Sequence, residues 1–376
     1  MGIKVGIDIR DLRIAQTGAK TYLTELIKAW ESMPNASLVL IDNHLKVYRG
    51  SSKLLKIIEH IRFQWWKQIQ LPFMAKQNGC THLICTDFFV PYFKGHLKTI
   101  AVLHDAFFWE SPEHYNALWL QLFHFIGVPA AKKANLLVVP SNYVKQRILH
   151  NENFNPTKLV VVYEAAKKYD KKQTEAIEKS ESSLLAKSSA PYFLHIGVLE
   201  KRKNLPVLIK AFSIILKTYP QYELVLAGNT SVKKQLNDAP AIMAAIQEEQ
   251  LSEKVKLVGY VNRSAAATLY ENAFAYVFPS LNEGFGLPLV EAFSFGLPVI
   301  CSNSSALPEI AADAALLVNM NEADNIDNIN SLAAAMIKLI EEGDLRKQLK
   351  EKGLERNKDF SWEQTATQIL EHIKNI

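Results

Sequence analysis

Hydrophobic and polar positions along the chain set out a repeating order. Residues 3–9 form an apolar run too brief for a helix, followed by a loop at 15–18 and an amphipathic stretch at 20–30 that reads as a helix. Apolar runs at 81–85, 99–103, 136–139 and 159–162 alternate with longer amphipathic segments, the pattern of a parallel sheet covered by helices on both faces. Residues 170–190, DKKQTEAIEKSESSLLAKSSA, interrupt it: polar, charged and Ser-rich, they read as a linker or surface loop. The alternation then restarts with strands at 192–197, 223–227, 255–258 and 275–278 and helices at 205–217 and 265–272. A helix opening at Pro288, strands at 298–301 and 314–318, and helical segments from 332 onward complete the chain. The expected class is α/β, with two Rossmann-like doubly wound domains facing a central cleft, where ligands of open α/β sheets bind. The expected boundaries are 1–170, a linker at 171–190, a second domain at 191–358, and a helix at 359–376 that packs back on the first domain.

With 376 residues, 48% hydrophobic and 22% charged, the chain is long enough for two cores. No charge-free apolar run reaches the roughly 18 residues of a membrane span. The opening MGIKVGIDIR enters a strand directly, so no signal peptide is expected. Cys80, Cys85 and Cys301 lie far from any metal-ligand spacing and are too few for a disulfide framework, which makes a reducing, cytoplasmic setting the expectation. Charge is uneven: residues 1–170 hold 21 Lys and Arg against 13 Asp and Glu, and the remainder 22 against 25. A basic front half suits an anionic membrane surface or a phosphate-bearing substrate, and equally a solvated surface with no partner.

Three constellations carry candidate chemistry. The strand at 275–278 runs into Pro279 and a loop holding Glu283, Gly284, Phe285, Gly286 and Leu287, with Pro288 at the expected helix start and Glu291 expected in its first turn. Two glycines let the backbone approach an anion, and the helix amides favour phosphate. A first-turn carboxylate is often only a response to the dipole, so the combination is more specific than its parts. The second is Gly197 to Asn204, GVLEKRKN, at the end of a strand, where Arg202 and Lys203 are expected to be open to solvent and to neutralise a diphosphate leaving group. The third is His104-Asp105, directly after the strand at 99–103.

These residues, with GFGLP and SFGLPV around Glu291, RKN after a Gly-ended strand and the closing FSWEQTA at 360–366, resemble the retaining GT-B glycosyltransferases of the large family that includes bacterial mannosyltransferases. The resemblance runs over nearly the whole chain and is strongest in the second domain. It implies a nucleotide-diphosphate sugar as donor. It implies that Arg202 and Lys203 bind the diphosphate, Glu291 the ribose, and Glu283 with the amides of Gly284, Phe285, Gly286 and Leu287 the sugar. His104 would contact the transferred sugar, and Gly259, Tyr260 and Val261 the base. Gly18 matches a first-domain glycine whose amide approaches the donor phosphates, although Thr17 stands where many relatives have a second glycine. HDAFFWESPEHY looks most like the mannosyltransferase branch that builds surface polysaccharides, so GDP-mannose is the first donor expected, with a UDP-hexose next. The acceptor implied is a glycan or a lipid-linked sugar.

Catalysis by His104, Arg202, Lys203 and Glu283 is chemically coherent, because cleaving an anomeric bond to a diphosphate needs leaving-group stabilisation more than a strong base. No Asp-x-Asp occurs, and neither metal nor cofactor is expected. A paired-carboxylate glycosidase fits less well, since Glu283 and Glu291 flank a phosphate loop. Residues 53–76, KLLKIIEHIRFQWWKQIQLPFMAK, interleave basic residues with Phe63, Trp65 and Trp66, which suits peripheral membrane contact or simple packing on the sheet. No nucleic-acid motif accompanies them. A non-catalytic sugar-nucleotide-binding partner of a biosynthetic complex is the reading from another class.

Overall fold

The computed structural model describes residues 2–15, 18–33, 37–48, 50, 52–169, 190–230, 235–320 and 325–376. The expected linker, 171–190, lies outside the described residues except for Ala190. The chain forms two units, Met1–Glu164 with Ser361–Ile376, and Ala165–Phe360. The boundaries thus lie at 164/165 and 360/361, a few residues from those expected at 170 and 358.

The first unit is a six-stranded parallel sheet of order β2-β1-β3-β4-β5-β6, formed by β1 (Lys4–Asp8), β2 (Ser37–Ile41), β3 (His82–Cys85), β4 (Lys98–Val102), β5 (Leu136–Val139) and β6 (Leu159–Val161). The edge strand β2, which the hydrophobic pattern does not single out, pairs with β1 from Lys4 beside Ser37 to Asp8 beside Ile41. β3, β4 and β5 are buried along nearly their whole length because both faces are covered. The helix Asn142–Asn151 starts where the Ser141 side chain accepts from the Val144 amide. Ser361 caps the helix Trp362–Lys374 in the same way, accepting from Gln364. That closing helix belongs to the first unit: the Trp362 ring meets Tyr22 edge-on at 5.5 Å, and the Thr365 hydroxyl donates to the Tyr163 carbonyl at 2.7 Å.

The second unit repeats the architecture with order β12-β11-β10-β7-β8-β9. Its strands are β7 (Tyr192–Ile196), β8 (Glu223–Ala227), β9 (Val255–Gly259), β10 (Ala275–Phe278), β11 (Val299–Ser302) and β12 (Leu316–Val318). The rings of Phe193, Tyr222 and Phe274 meet at 5.0 to 5.6 Å between sheet and helices. In each unit the connections change direction once, between β1 and β3 in the first and between β7 and β10 in the second. Loops leaving the carboxyl ends at such a switch diverge and open a crevice, so the sheet order alone directs attention to the segments after β1, β3, β7 and β10.

Candidate active site

In the second unit, both loops at the switch carry charge. After β7 the chain passes Gly197, forms a single 3-10 turn at Lys201–Lys203, and enters the helix Leu205–Leu216 through Asn204, held left-handed at φ 56°. After β10 it passes Ser280 and reaches Glu283, whose amide donates to Ser305 Oγ at 2.9 Å. The loops are stitched by the Leu281 amide donating to the Arg202 carbonyl at 2.8 Å.

This stitching brings three groups onto one carboxylate oxygen. Glu283 Oε1 lies 2.7 Å from Arg202 Nη1, 2.5 Å from Lys203 Nζ and 2.5 Å from Ser280 Oγ. Arg202 also donates to the Asn282 carbonyl at 3.1 Å and, from Nε, to Glu200 at 3.2 Å. Lys203 Nζ stands 4.8 Å from the centre of the Phe278 ring. Burial alone would raise the Glu283 carboxyl, but the charges of Arg202 and Lys203 hold it at about 2. Burial, with Arg202 as a like charge, lowers Lys203 to about 8 despite its carboxylate. Both cations were expected to be open to solvent; Lys203 is instead buried, at 4% exposure, because the β10 loop folds over it. The contacts that Arg202, Lys203 and Ser280 make with Glu283 all fall on Oε1.

Beside this corner lies a strip of bare backbone. Gly197, Gly228 and Gly259 end or follow β7, β8 and β9, with Ile196 beside Ala227 and, after a register shift between Leu226 and Ala227, Ala227 beside Gly259. The Gly197 amide donates to the Ala227 carbonyl at 2.9 Å and the Gly228 amide to the Gly259 carbonyl at 2.7 Å. At Gly228, φ is +148° and a Cβ would sit 1.8 Å from the Gly197 carbonyl oxygen, so only glycine fits. The strip presents amides and carbonyls without side chains, a surface on which a flat base and a ribose can lie. Of the expected base contacts, Gly259 closes this strip and Tyr260 follows it, 71% exposed, with Val261 next.

The Gly284-Phe285-Gly286-Leu287 loop leads into the helix Leu287–Ser294. Gly286 caps it at φ 100°, where a Cβ would approach Leu307 to 2.7 Å. Phe285 is buried edge-on against Phe360 at 5.7 Å. Glu291 is the helix's fifth residue, in the second turn rather than the first, because the helix opens at Leu287. The helix dipole therefore does not explain it. The Tyr270 hydroxyl donates to its Oε2 at 3.1 Å, and Lys167 Nζ stands 3.5 Å from Oε1, which has no hydrogen-bond partner among the described residues. Burial, with Glu291 alongside, pushes the Tyr169 and Tyr270 hydroxyls up, so both remain donors.

In the first unit, the segments after β1, β3 and β4 hold a second cluster. His104 follows β4; its Nδ1 lies 3.1 Å from Glu164 Oε1, and Tyr22 meets its ring edge-on at 4.8 Å. Nε2 has no partner among the described residues. Burial would lower the imidazole, but Glu164 outweighs it and the net shift is upward. Asp105 turns the chain by accepting from the Phe107 amide at 3.1 Å. Gly18 opens the helix Gly18–Glu31; Thr17 lies outside the described residues. Nearby, Lys67 is buried between Asp8 and Asp87 at 2.6 and 2.8 Å, and burial lifts Asp11 to about 6.

Residues 176–356 match the family of glycosyl transferases group 1. The chain is 27% identical over 281 residues to O-antigen chain mannosyltransferase B of Escherichia coli, covering 74% of this chain and 70% of the relative. It is 25% identical over 307 residues to O-antigen chain mannosyltransferase RfbU of Salmonella typhimurium, covering 80% and 78%. Among solved structures, Anabaena Alr3699/HepE in complex with UDP and glucose superposes at TM-score 0.73 with 17% identity and full coverage of both chains. Sucrose-phosphate synthase from Thermosynechococcus elongatus gives 0.75, also at 17% identity, covering 99% and 98%. The fold is thus GT-B, with two Rossmann-like α/β units.

In the second unit, the corner gathers Arg202, Lys203 and Glu283, whereas Glu291 stands apart among tyrosines. Two residues carry no sign in the sequence. Glu164 lies 60 positions from the His104 it holds. His195, inside β7, is fully buried, donates from Nδ1 to the Val277 carbonyl at 3.0 Å, and is pushed down to about 4 by burial.

Proposed function

We propose that this transferase moves a hexose, with retention, from a nucleoside-diphosphate sugar to a glycan or lipid-linked acceptor, without a metal. The observation that carries the reading is the buried Arg202–Glu283–Lys203 group at the switch of the second sheet, beside a glycine strip. Two cations fixed by one carboxylate oxygen are preorganised for the charge that develops on a departing diphosphate, and need no rearrangement when it appears. Glu283 Oε2 accepts from a sugar hydroxyl, and Glu291 from the ribose. The bond from the anomeric carbon to the diphosphate oxygen breaks, and the acceptor oxygen bonds to that carbon on the same face. The acceptor's proton passes to the departing diphosphate. His104, held in one orientation by Glu164, presents Nε2 to the sugar.

The relatives named as mannosyltransferases favour GDP-mannose as donor. The test is incubation with GDP-mannose and, separately, UDP-glucose in EDTA, following the anomeric signals by NMR. Consumption of the GDP-sugar with an α-configured product supports the reading; an inverted product, or dependence on added metal, contradicts it. His104→Ala is expected to lower turnover by about 10² to 10³ with less than about threefold loss of donor affinity. An unchanged rate would return His104 to a packing role.

The lowered Lys203 value gives a pH dependence with a definite sign. Lys203 carries its charge below about pH 8 and loses it above. Nucleoside-diphosphate affinity is therefore expected to hold steady from pH 6.5 to 7.5 and to fall above 8, by up to about tenfold per unit. Titrations at four pH values check this; a flat profile to pH 9.5 would separate Lys203 from the diphosphate.

A further inference from the structure

The segment rich in aromatic and basic residues forms one helical rod: the helix Lys53–Trp65, a π turn at Trp66–Gln70, and the helix Leu71–Gln77, joined through right-handed helical backbone. Its inner side accounts for part of the aromatic content. Phe63 and Trp66 are buried, Trp66 with Nε1 3.3 Å from Asp8, and Lys67 is in the buried pair described above, so none of these three faces outward. The outer side is apolar too. Leu54, Ile58, Ile61, Trp65, Ile69 and Phe73 recur every three or four residues and are 66, 42, 64, 57, 49 and 60% exposed. A helix on a globular surface turns polar groups outward; this one exposes a stripe along its full length.

Neighbouring elements add further exposed aromatic side chains. Gln68 ties the rod to the loop after β3, donating to the Val90 carbonyl at 3.3 Å and accepting from the Tyr92 amide at 2.7 Å. The next residue, Phe93, is 81% exposed. Trp119 packs against His60 and Phe63, and Phe125, on the turn that follows its helix, is 79% exposed.

The charges beside the stripe have one sign. From 53 to 77 the acidic residue is Glu59, which is already paired with Arg10 and Arg62 at 2.8 and 2.9 Å. Lys56 and Lys76 are exposed. A two-fold contact between copies of the chain would set these like charges face to face. An apolar stripe with an interfacial tryptophan and a basic fringe matches an anionic bilayer surface, with the rod lying in its plane. No helix among the described residues is long and apolar enough to cross a membrane.

We propose that the rod at residues 53–77 docks the first unit onto anionic lipid, independently of donor chemistry. The test is flotation of the full chain with vesicles of phosphatidylcholine alone and of phosphatidylcholine with phosphatidylglycerol. Binding is expected to be at least about tenfold stronger to the anionic vesicles and to weaken with salt. The pair Trp65→Ser with Phe73→Ser, and separately Lys56→Glu with Lys76→Glu, are each expected to lower it at least about tenfold at an unchanged melting temperature. Two chemically different pairs on the rod keep the test independent of the folding of either. No binding, equal binding to both vesicles, or a dimer in solution that Trp65→Ser with Phe73→Ser dissociates would overturn the proposal.

Discussion

Replacing Glu283 by Ala is expected to be among the two most damaging single changes in the second unit. The substitution leaves Arg202 and buried Lys203 close together with the carboxylate between them removed. Removing one partner of a buried ion pair typically costs about 3–5 kcal/mol, much of it from the charge left behind. Lys203 has a partial escape, because its pKa is already near 8 and it can release its proton. The expected result is a loss of about 3 kcal/mol by denaturant unfolding at pH 7, smaller at pH 9, together with loss of nucleotide binding. Glu283→Gln retains the shape and the Ser280 contact and is expected to cost less. Equal stability of Glu283→Ala and wild type would mean that the corner contributes nothing to the fold.

Gly228→Ala is the second. Its Cβ would lie 1.8 Å from the Gly197 carbonyl oxygen, and the left-handed φ of +148° is strained for any side chain. The obstacle is backbone, with no flexible tip to move aside. One of β7 or β8 must shift, opening the amide-to-carbonyl contacts that join Gly197 to Ala227 and Gly228 to Gly259. A loss of about 3 kcal/mol or more is expected, lowering the melting temperature by about 6–12 °C. The strip also faces the proposed base and ribose, so surviving protein should bind nucleotide poorly. Gly259→Ala is the comparison: its φ is +68° but no atom lies within 4 Å of the added carbon, so a loss of about 1 kcal/mol is expected.

The contrast between those glycines shows what a sequence carries. The continuous runs at β3, β5 and β10 announce a buried parallel sheet, and the positions of Gly197, His104 and Glu283 at strand ends follow from them. What the linear order leaves out is which distant loops meet. Arg202 and Glu283 are 80 or so positions apart, and their pairing arises only because β7 lies beside β10 in the sheet. The same applies to Glu164 with His104, since β6 reaches β4 across β5. Burial was the other gap. Lys201, Arg202 and Lys203 look alike in sequence, yet the turn at Lys201–Lys203 leaves the first exposed and sinks the third under the β10 loop. Helix periodicity hid a further distinction, because the rod at 53–77 is apolar on two sides and only its inner side meets the core.

The Arg202–Glu283–Lys203 corner and the glycine strip are proposed to hold a nucleoside diphosphate and its sugar. Calorimetric titration of the full chain with GDP, UDP, ADP and their hexose conjugates, in EDTA, tests this most directly. Saturable binding of one nucleotide is expected, with tighter binding of its sugar conjugate, loss of both in Arg202→Ala, and loss of the sugar's increment alone in Glu283→Gln. A folded protein that binds none of them, or binding that Arg202→Ala leaves intact, would contradict it.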